Sequence, residues 1–179
     1  MNSFQYSCIN IVGAPGSGTT TRGHALASRL NIHFEDADGF YWKPSNPPFS
    51  EKYDPGVRLT MLLESISGYN SSVIAGSVCG WGTALEESFD LVVFFSLPTA
   101  LRLQRIEARE IALFCKANPE FLAWAAQYDE GRLPGRSRAR HEAWLASRRC
   151  PVLMLESDQT VDDRVEEVIR FAAQMRESG

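Results

Sequence analysis

The chain alternates between short, strongly apolar runs and longer segments in which apolar residues recur at helical spacing. Apolar runs of this length are typical of strands that are buried on both faces of a sheet. The predicted strands are 7–12, 72–75, 91–97 and 152–155, with a short candidate at 32–35. The predicted helices are 20–30, 57–66, 98 to about 110, and 161–175.

This alternation of strands and helices predicts an α/β fold with a parallel sheet that helices cover on both faces. Sheets of this kind bind ligands at the carboxyl ends of their strands. Two segments interrupt the alternation: a Pro-rich loop at 43–56 and, within 111–137, a helical patch followed by the sequence DEGRLPGRSR. Loops of that length are usually functional or disordered. No change in composition marks a boundary, so residues 1–179 are predicted to form one domain.

Composition narrows the classes of function. The chain has 179 residues, of which 44% are hydrophobic and 22% charged, with a formal net charge of −4. An acidic balance argues against general nucleic-acid binding, which favours a basic domain. No stretch reaches the length of a membrane span, and the first ten residues lack the features of a signal peptide. We therefore expect a cytoplasmic protein without nucleic-acid or membrane partners, whose four scattered cysteines are free thiols.

A Gly-rich turn follows the first predicted strand and leads into a helix. Its sequence, GAPGSGTT, consists of Gly13, Ala14, Pro15, Gly16, Ser17, Gly18, Thr19 and Thr20. Glycines let a backbone curl around an anion, and the helix start directs N–H groups and a positive dipole end at the same point. The spacing matches the phosphate-binding loop G-x-x-x-x-G-K-[ST], in which the last hydroxyl holds Mg²⁺. We predict that residues 13–20 bind phosphate and that Thr20 contacts Mg²⁺.

Thr19 occupies the position of the lysine in that pattern. A unit charge about 4 Å from a phosphate oxygen is worth about 4 kcal/mol at an effective dielectric constant of 20. Its uncompensated loss would slow a reaction on the order of a thousandfold. Three explanations stay open: another cation substitutes, the loop binds nucleotide without turnover, or the chemistry is slow. Arg22 lies one turn further along the helix and could reach back, but a solvated surface position is the expectation for it.

Arginines in the second half of the chain are candidates for a replacement cation. Arg102, Arg105 and Arg109 share roughly one face of a predicted helix. A second group follows in the interrupted segment: Arg132, Arg136, Arg138 and Arg140. Arginine suits the charge that develops on a transferring phosphoryl group, although a solvated basic surface explains some of these residues equally well. We favour a catalytic role for Arg109 and Arg136.

Acidic and aromatic residues follow the second predicted strand in the sequence EDADGFYWKP. A carboxylate at Asp36 could hold Mg²⁺ through water, and one at Asp38 could accept the proton of an attacking hydroxyl. An Asp-rich turn that caps a helix is an equally good explanation of the pair. Trp42 could stack on an acceptor, Arg58 could bind its anionic group, and Gly76 begins a second Gly-rich loop at the predicted binding edge.

Together these residues resemble the P-loop small-molecule and nucleoside-monophosphate kinases, such as the adenylate, shikimate and gluconate kinases. The resemblance covers almost the whole chain and is most specific in GAPGSGTT. It implies a three-layer α/β fold with a five-stranded parallel sheet, an acceptor-binding segment at about 36–70 and a mobile, helical, Arg-rich lid at about 110–137. It also implies transfer of the γ-phosphoryl group of ATP, with Mg²⁺, to a nucleotide or other small molecule.

The same resemblance implies individual roles. Residues 13–18 hold the donor phosphates, Thr20 and Asp36 are placed at Mg²⁺, and Asp38 contacts the acceptor hydroxyl. Arg58 matches an arginine that binds the acceptor's anion, and Arg109 and Arg136 fall where lid arginines belong.

Two departures from the family keep other hypotheses open. Thr19 replaces the lysine, and the sequence VIAGSVCGWG after the third strand matches no single member. The chain could therefore be a degenerate kinase that binds nucleotide without turnover. A P-loop hydrolase is a weaker alternative, because the third strand carries no obvious carboxylate for it.

Overall fold

The computed structural model describes residues 6–131 and 136–177. Its five strands are β1 (Cys8–Gly13), β2 (His33–Asp36), β3 (Ser72–Ala75), β4 (Leu91–Phe95) and β5 (Val152–Leu155). The described helices are α1 (Thr19–Leu30), α2 (Asp38–Tyr41), α3 (Pro55–Ser67), α4 (Thr83–Glu86), α5 (Thr99–Phe114), α6 (Pro119–Ala126), α7 (Arg138–Ala146) and α8 (Val161–Glu177). All five predicted strands are present, which confirms that part of the sequence analysis.

The strands form one parallel sheet in the order β2-β3-β1-β4-β5. The register aligns their carboxyl ends at a single edge, because Gly13 lies opposite Phe95 and Asp36 lies opposite Ala75. The turn that follows β1 therefore emerges beside the turns that follow β3 and β4. The predicted α/β fold with a parallel, five-stranded sheet is confirmed.

Alternate residues of β1 feed two separate apolar cores, one on each face of the sheet. Ile9 and Ile11 pack in a cluster with residues of α1 and α8, whereas Cys8 and Val12 pack in a cluster with residues of α3, α4 and α7. Complete burial of such side chains contributes about 1.5–3 kcal/mol each. Because both faces are apolar, helices cover both, and the predicted three-layer arrangement follows.

Local signals define the helix ends. The Oδ1 atom of Asp54 accepts a hydrogen bond of 2.8 Å from the N–H of Gly56 and so caps α3 just before Pro55. Helix α5 continues to Phe114, past the predicted end near Glu110, and Cys115 terminates it in the left-handed conformation. Within the described ranges, none of the helices is long and apolar enough to cross a membrane.

The segment predicted as a lid contains the last residues of α5, helix α6 and a turn, and it ends just before α7. Asn118 caps α6, since its Oδ1 atom accepts hydrogen bonds from the N–H groups of Glu120 and Phe121. Residues 132–135 of the predicted lid, including Arg132, lie outside the described residues.

Candidate functional site

Several backbone N–H groups of the loop after β1 have no acceptor among the described residues. Gly16 and Gly18 have φ angles of 80° and 81°, which side chains with a Cβ atom rarely adopt. No described residue accepts a backbone hydrogen bond from Gly16, Gly18, Thr19 or Thr20. Unsatisfied donors at the start of a 12-residue helix form a site that suits an anion. The loop therefore fits the phosphate groups that the sequence predicts.

The carbonyl groups of the same loop are occupied by side chains. Both the N–H and the Oγ of Ser17 donate to the carbonyl of Ala14, at 3.1 and 2.8 Å. Arg102 donates through Nη1 to the carbonyl of Pro15 at 3.2 Å, and Arg22 donates through Nη1 to that of Ser17 at 2.9 Å. Because these carbonyls are held by side chains, the loop keeps its N–H groups available for a ligand.

The expectation of a solvated Arg22 is wrong. Arg22 is only 5% exposed, and its guanidinium group folds back against the loop. Its Nη2 donates to the carbonyl of Gln159 at 3.2 Å, and its charge lies over the ring of Phe95, with 5.2 Å between the Cζ atom and the ring centre. Residues distant in sequence thus form the pocket that buries it.

Thr19 and Thr20 are the first two residues of α1. Thr19 is half-buried and Thr20 is exposed, and neither hydroxyl is hydrogen-bonded to a described residue. The Thr20 hydroxyl is therefore free to contact a cation beside the loop. No group of three His, Cys, Asp or Glu residues that could hold a metal occurs in the described parts of the chain. A metal here would need phosphate and water oxygens, as Mg²⁺ commonly does.

Asp36 and Asp38 lie at the carboxyl end of β2, next to the turn that follows β3. Asp36 Oδ1 accepts a 3.0 Å hydrogen bond from the N–H of Asp38, so the Asp-rich turn that was the alternative explanation is present. This contact engages one Asp36 oxygen. Solvent reaches Asp38, yet surrounding protein atoms desolvate its carboxyl group and raise its pKa. Asp36 adds to that rise in pKa, while Arg136 and Arg109 oppose it.

The structure brings Arg109 and Arg136 close enough to Asp38 to influence its pKa. Arg109 is exposed and Arg136 is half-buried, and neither forms an ion pair with a described residue. Arg138, by contrast, contacts Glu142 at 2.8 Å and Glu156 at 3.2 Å. Arg138 therefore already has carboxylate partners, which Arg109 and Arg136 lack among the described residues.

Arg58 is held between two aromatic rings. Its Cζ atom lies 4.9 Å from the ring centre of Tyr41 and 4.7 Å from that of Trp81. Its Nε atom is buried without a hydrogen-bond partner, and no described carboxylate pairs with the guanidinium group. Aromatic faces orient the charge but leave its N–H donors available, as binding of an acceptor's anion requires.

Trp42 and Gly76 lie at the same side of the sheet edge. Trp42 lines an open cavity of about 530 Å³ together with Asp36, Asp38 and Phe49. The N–H of Gly76 donates to the carbonyl of Ile11 at 2.8 Å, and the Gly76 carbonyl accepts a 3.2 Å hydrogen bond from Asn10 Nδ2. Substrate contacts for both residues stay predictions.

Sequence analysis missed a buried chain of three polar side chains beside this edge. His141 Nε2 lies 2.9 Å from Ser77 Oγ, and His141 Nδ1 lies 2.7 Å from Tyr128 Oη. Burial, together with the positive charges of Arg136 and Arg140, lowers the pKa of His141 to about 3. His141 is therefore neutral at ordinary pH and links the loop after β3 to the segment after α6.

Sequence comparison with known proteins identifies the family to which the chain belongs. Over 173 residues the chain is 37% identical to the "Uncharacterized protein YqaC" of Bacillus subtilis (strain 168), an alignment that covers 91% of this chain and 96% of that protein. The chain belongs to the YqaC family. No established family model matches the sequence.

Solved structures that resemble this member of the YqaC family include a shikimate kinase and a gluconokinase. A shikimate kinase from Acinetobacter baumannii, in complex with shikimate, superposes with a TM-score of 0.58 at 19% identity and covers 94% of this chain and 93% of its own. A gluconokinase from Sinorhizobium meliloti 1021 superposes with a TM-score of 0.59 at 17% identity, over 96% of this chain and 94% of its own. At these identities the comparison shows the fold, and it confirms the P-loop kinase fold that the sequence predicted.

Proposed function

We propose that the chain is a phosphotransferase that moves the γ-phosphoryl group of ATP, with Mg²⁺, to a small acceptor that bears a hydroxyl and an anionic group. This proposal rests mainly on the environment of Asp38, which raises the pKa of its carboxyl group beside two arginines. A carboxylate with a raised pKa is a better proton acceptor than an ordinary aspartate. Near it lie Arg109 and Arg136, which form no ion pair within the described ranges. A site that only bound nucleotide would have no use for that combination.

Each described residue has a role in this proposal. The free N–H groups of residues 16 and 18–20 would bind the donor phosphates, and Thr20 and Asp36 would hold Mg²⁺, which neutralises phosphate charge. Asp38 would orient the acceptor hydroxyl and take its proton. Arg109 and Arg136 would stabilise charge on the transferring group. The Arg-rich segment at about 110–137 would close over the bound substrates and exclude water.

Arg58 favours an acceptor with a carboxylate or phosphate. Its charge is clamped by Tyr41 and Trp81 and lacks a carboxylate partner among the described residues. The resemblance to shikimate kinase, a structure with shikimate bound, supports a small anionic acceptor and does not identify it.

A second candidate function is nucleotide binding without turnover, and Thr19 motivates it. Because the usual lysine contacts the phosphates in the P-loop pattern, its absence would reduce turnover more directly than binding. A third, weaker candidate is ATP hydrolysis. The three functions differ in their products. A phosphotransferase forms ADP only when an acceptor is present, a binding module forms no ADP, and a hydrolase forms ADP and phosphate without an acceptor.

The test measures ADP formation from ATP and Mg²⁺ with a panel of hydroxy acids, sugar phosphates and nucleoside monophosphates. We expect acceptor-dependent ADP formation that falls on the order of a hundredfold or more in Asp38→Asn, while calorimetric ADP binding persists. Asp162→Asn, at an exposed position on α8, is the matched control and should retain activity. ADP binding without ADP formation across the panel would overturn the proposal in favour of a binding module.

A further inference from the structure

Arg22 carries a buried charge that forms no ion pair with a described carboxylate. The other buried arginines of this region are paired: Arg102 with Asp129 at 2.6 Å, and Arg164 with Glu167 at 2.8 Å. Within residues 6–131 and 136–177, Arg22 forms no ion pair. Its guanidinium group bonds only to carbonyl oxygens, and its Nε atom is buried without an acceptor.

Such a charge is costly unless something compensates it. Burying an ion without a counter-ion is unfavourable, and the contact with the ring of Phe95 offsets only part of the cost. Burial lowers the pKa of Arg22, and the like charges of Arg105 and Arg164 lower it further. Asp158, which is ion-paired with Arg105, opposes them only in part. A negative charge supplied from outside the chain would complete this arrangement.

The loop places a binding site for that negative charge next to Arg22. A Cβ atom added at Gly18 would overlap Arg22 Nη1, so the guanidinium group lies directly against the loop backbone. The N–H groups of Gly18 and Thr19, which belong to the same short stretch, have no acceptor among described residues. A phosphate group held by these N–H groups would bring negative charge to the backbone that Arg22 touches.

We propose that Arg22 supplies, from the carbonyl side of the loop, the positive charge that Thr19 cannot supply from its side chain. Arg22 acts as a positioning residue: it fixes the Ser17 carbonyl and attracts phosphate across the loop without entering the acceptor pocket. This inference rests on the phosphate binding in the proposed function and is independent of turnover.

The test is a double-mutant cycle on the affinities for ADP and inorganic pyrophosphate, measured by calorimetry. Arg22→Met removes the charge and keeps an unbranched side chain; we expect both ligands to bind about ten- to thirtyfold more weakly. Adenosine, which lacks phosphate, should lose less than about threefold. In the Arg22→Met background, Thr19→Lys should restore phosphate affinity, whereas the same change in the natural chain should gain less than about threefold.

Three controls separate charge from folding. Arg170→Met removes an exposed charge from α8 and should leave ADP affinity unchanged. Arg22→Lys keeps a charge at the position and should retain most of the affinity. Thr19→Lys alone tests the inference even if Arg22→Met does not fold, because a gain of a hundredfold or more would mean that the loop had no positive charge before the change.

Unchanged ADP and pyrophosphate affinity in folded Arg22→Met, or equal gains from Thr19→Lys in both backgrounds, would also overturn the inference. If the natural chain binds neither ligand, the proposed function fails together with it. If the natural chain binds both ligands and Arg22→Met binds them with the same affinity, only the inference about Arg22 fails.

Discussion

Lowering the pH should destabilise this protein through one histidine. His141 has no exposed surface, and burial, together with Arg136 and Arg140, holds its pKa at about 3 instead of 6.5. Between those two values the unfolded chain binds a proton at this side chain and the folded chain does not. Stability contributed by the neutral ring is therefore complete above pH 6.5 and declines as the pH falls toward 3.

The size of the effect follows from the shift in pKa. One pKa unit corresponds to about 1.4 kcal/mol, so lowering the pH from 7 to 5 should cost about 2 kcal/mol at this residue. The assay is urea unfolding of the natural chain and of His141→Gln at pH 7 and pH 5. His141→Gln removes the titration and can preserve the contact with Ser77 Oγ, which lies 2.9 Å from Nε2.

The difference in unfolding free energy between the two proteins should shrink by about 2 kcal/mol at pH 5. This comparison cancels the other groups that titrate in the same range. His24→Gln is the control for replacing a histidine, since His24 is exposed and makes no contact with His141. If the difference between the natural chain and His141→Gln is the same at pH 7 and pH 5, the reasoning is refuted, because burial would then not exclude the proton from His141.

Two further predictions concern stability. Arg102→Met removes contacts with Leu97, Pro15 and Asp129 and should lower the free energy of unfolding in urea by about 3–5 kcal/mol. Arg105→Met, on the same helix, removes one contact with a half-exposed partner and should lower it by under about 1 kcal/mol. Similar losses in the two variants would contradict this ranking. Cys115 ends α5 at φ 61° and is exposed, and glycine adopts this left-handed conformation more easily than other residues. Cys115→Gly should therefore raise the free energy of unfolding by about 1 kcal/mol, measured by thermal or urea unfolding. Gln127→Gly, at a φ of −81°, should lower it. A loss of stability in Cys115→Gly would show that the left-handed cap carries no strain.

Much of the fold was predictable because its signals are local. Strands buried on both faces are apolar at nearly every position, as in the β4 sequence LVVFF, and the glycines of loop 13–18 stand between a strand and a helix. The ends of α3 and α6 likewise have capping residues next to proline. Such features depend on neighbours within a few residues, so a single sequence contains them.

The site was less predictable because its decisive contacts join distant segments. Arg22 is buried by Phe95 and Gln159, and the latter lies 137 residues away along the chain. His141 is 64 residues from Ser77, and neither has a neighbouring residue that signals the contact. Periodicity places a side chain on one face of a helix, but it does not say which distant loop packs against that face.

The presence or absence of a carboxylate partner indicates which arginines are available to bind a phosphate better than their number or spacing does. Arg102, Arg105 and Arg109 share a helix, yet the first two have carboxylate partners and the third has none among described residues. An arginine with a carboxylate partner and several hydrogen bonds would have to break them before binding a phosphate. Arg22, Arg58, Arg109 and Arg136 need no such exchange, because none has an ion pair in the described chain. In the proposed function, these four arginines would surround the phosphoryl group and its acceptor, from the loop after β1 to the residues around Asp38.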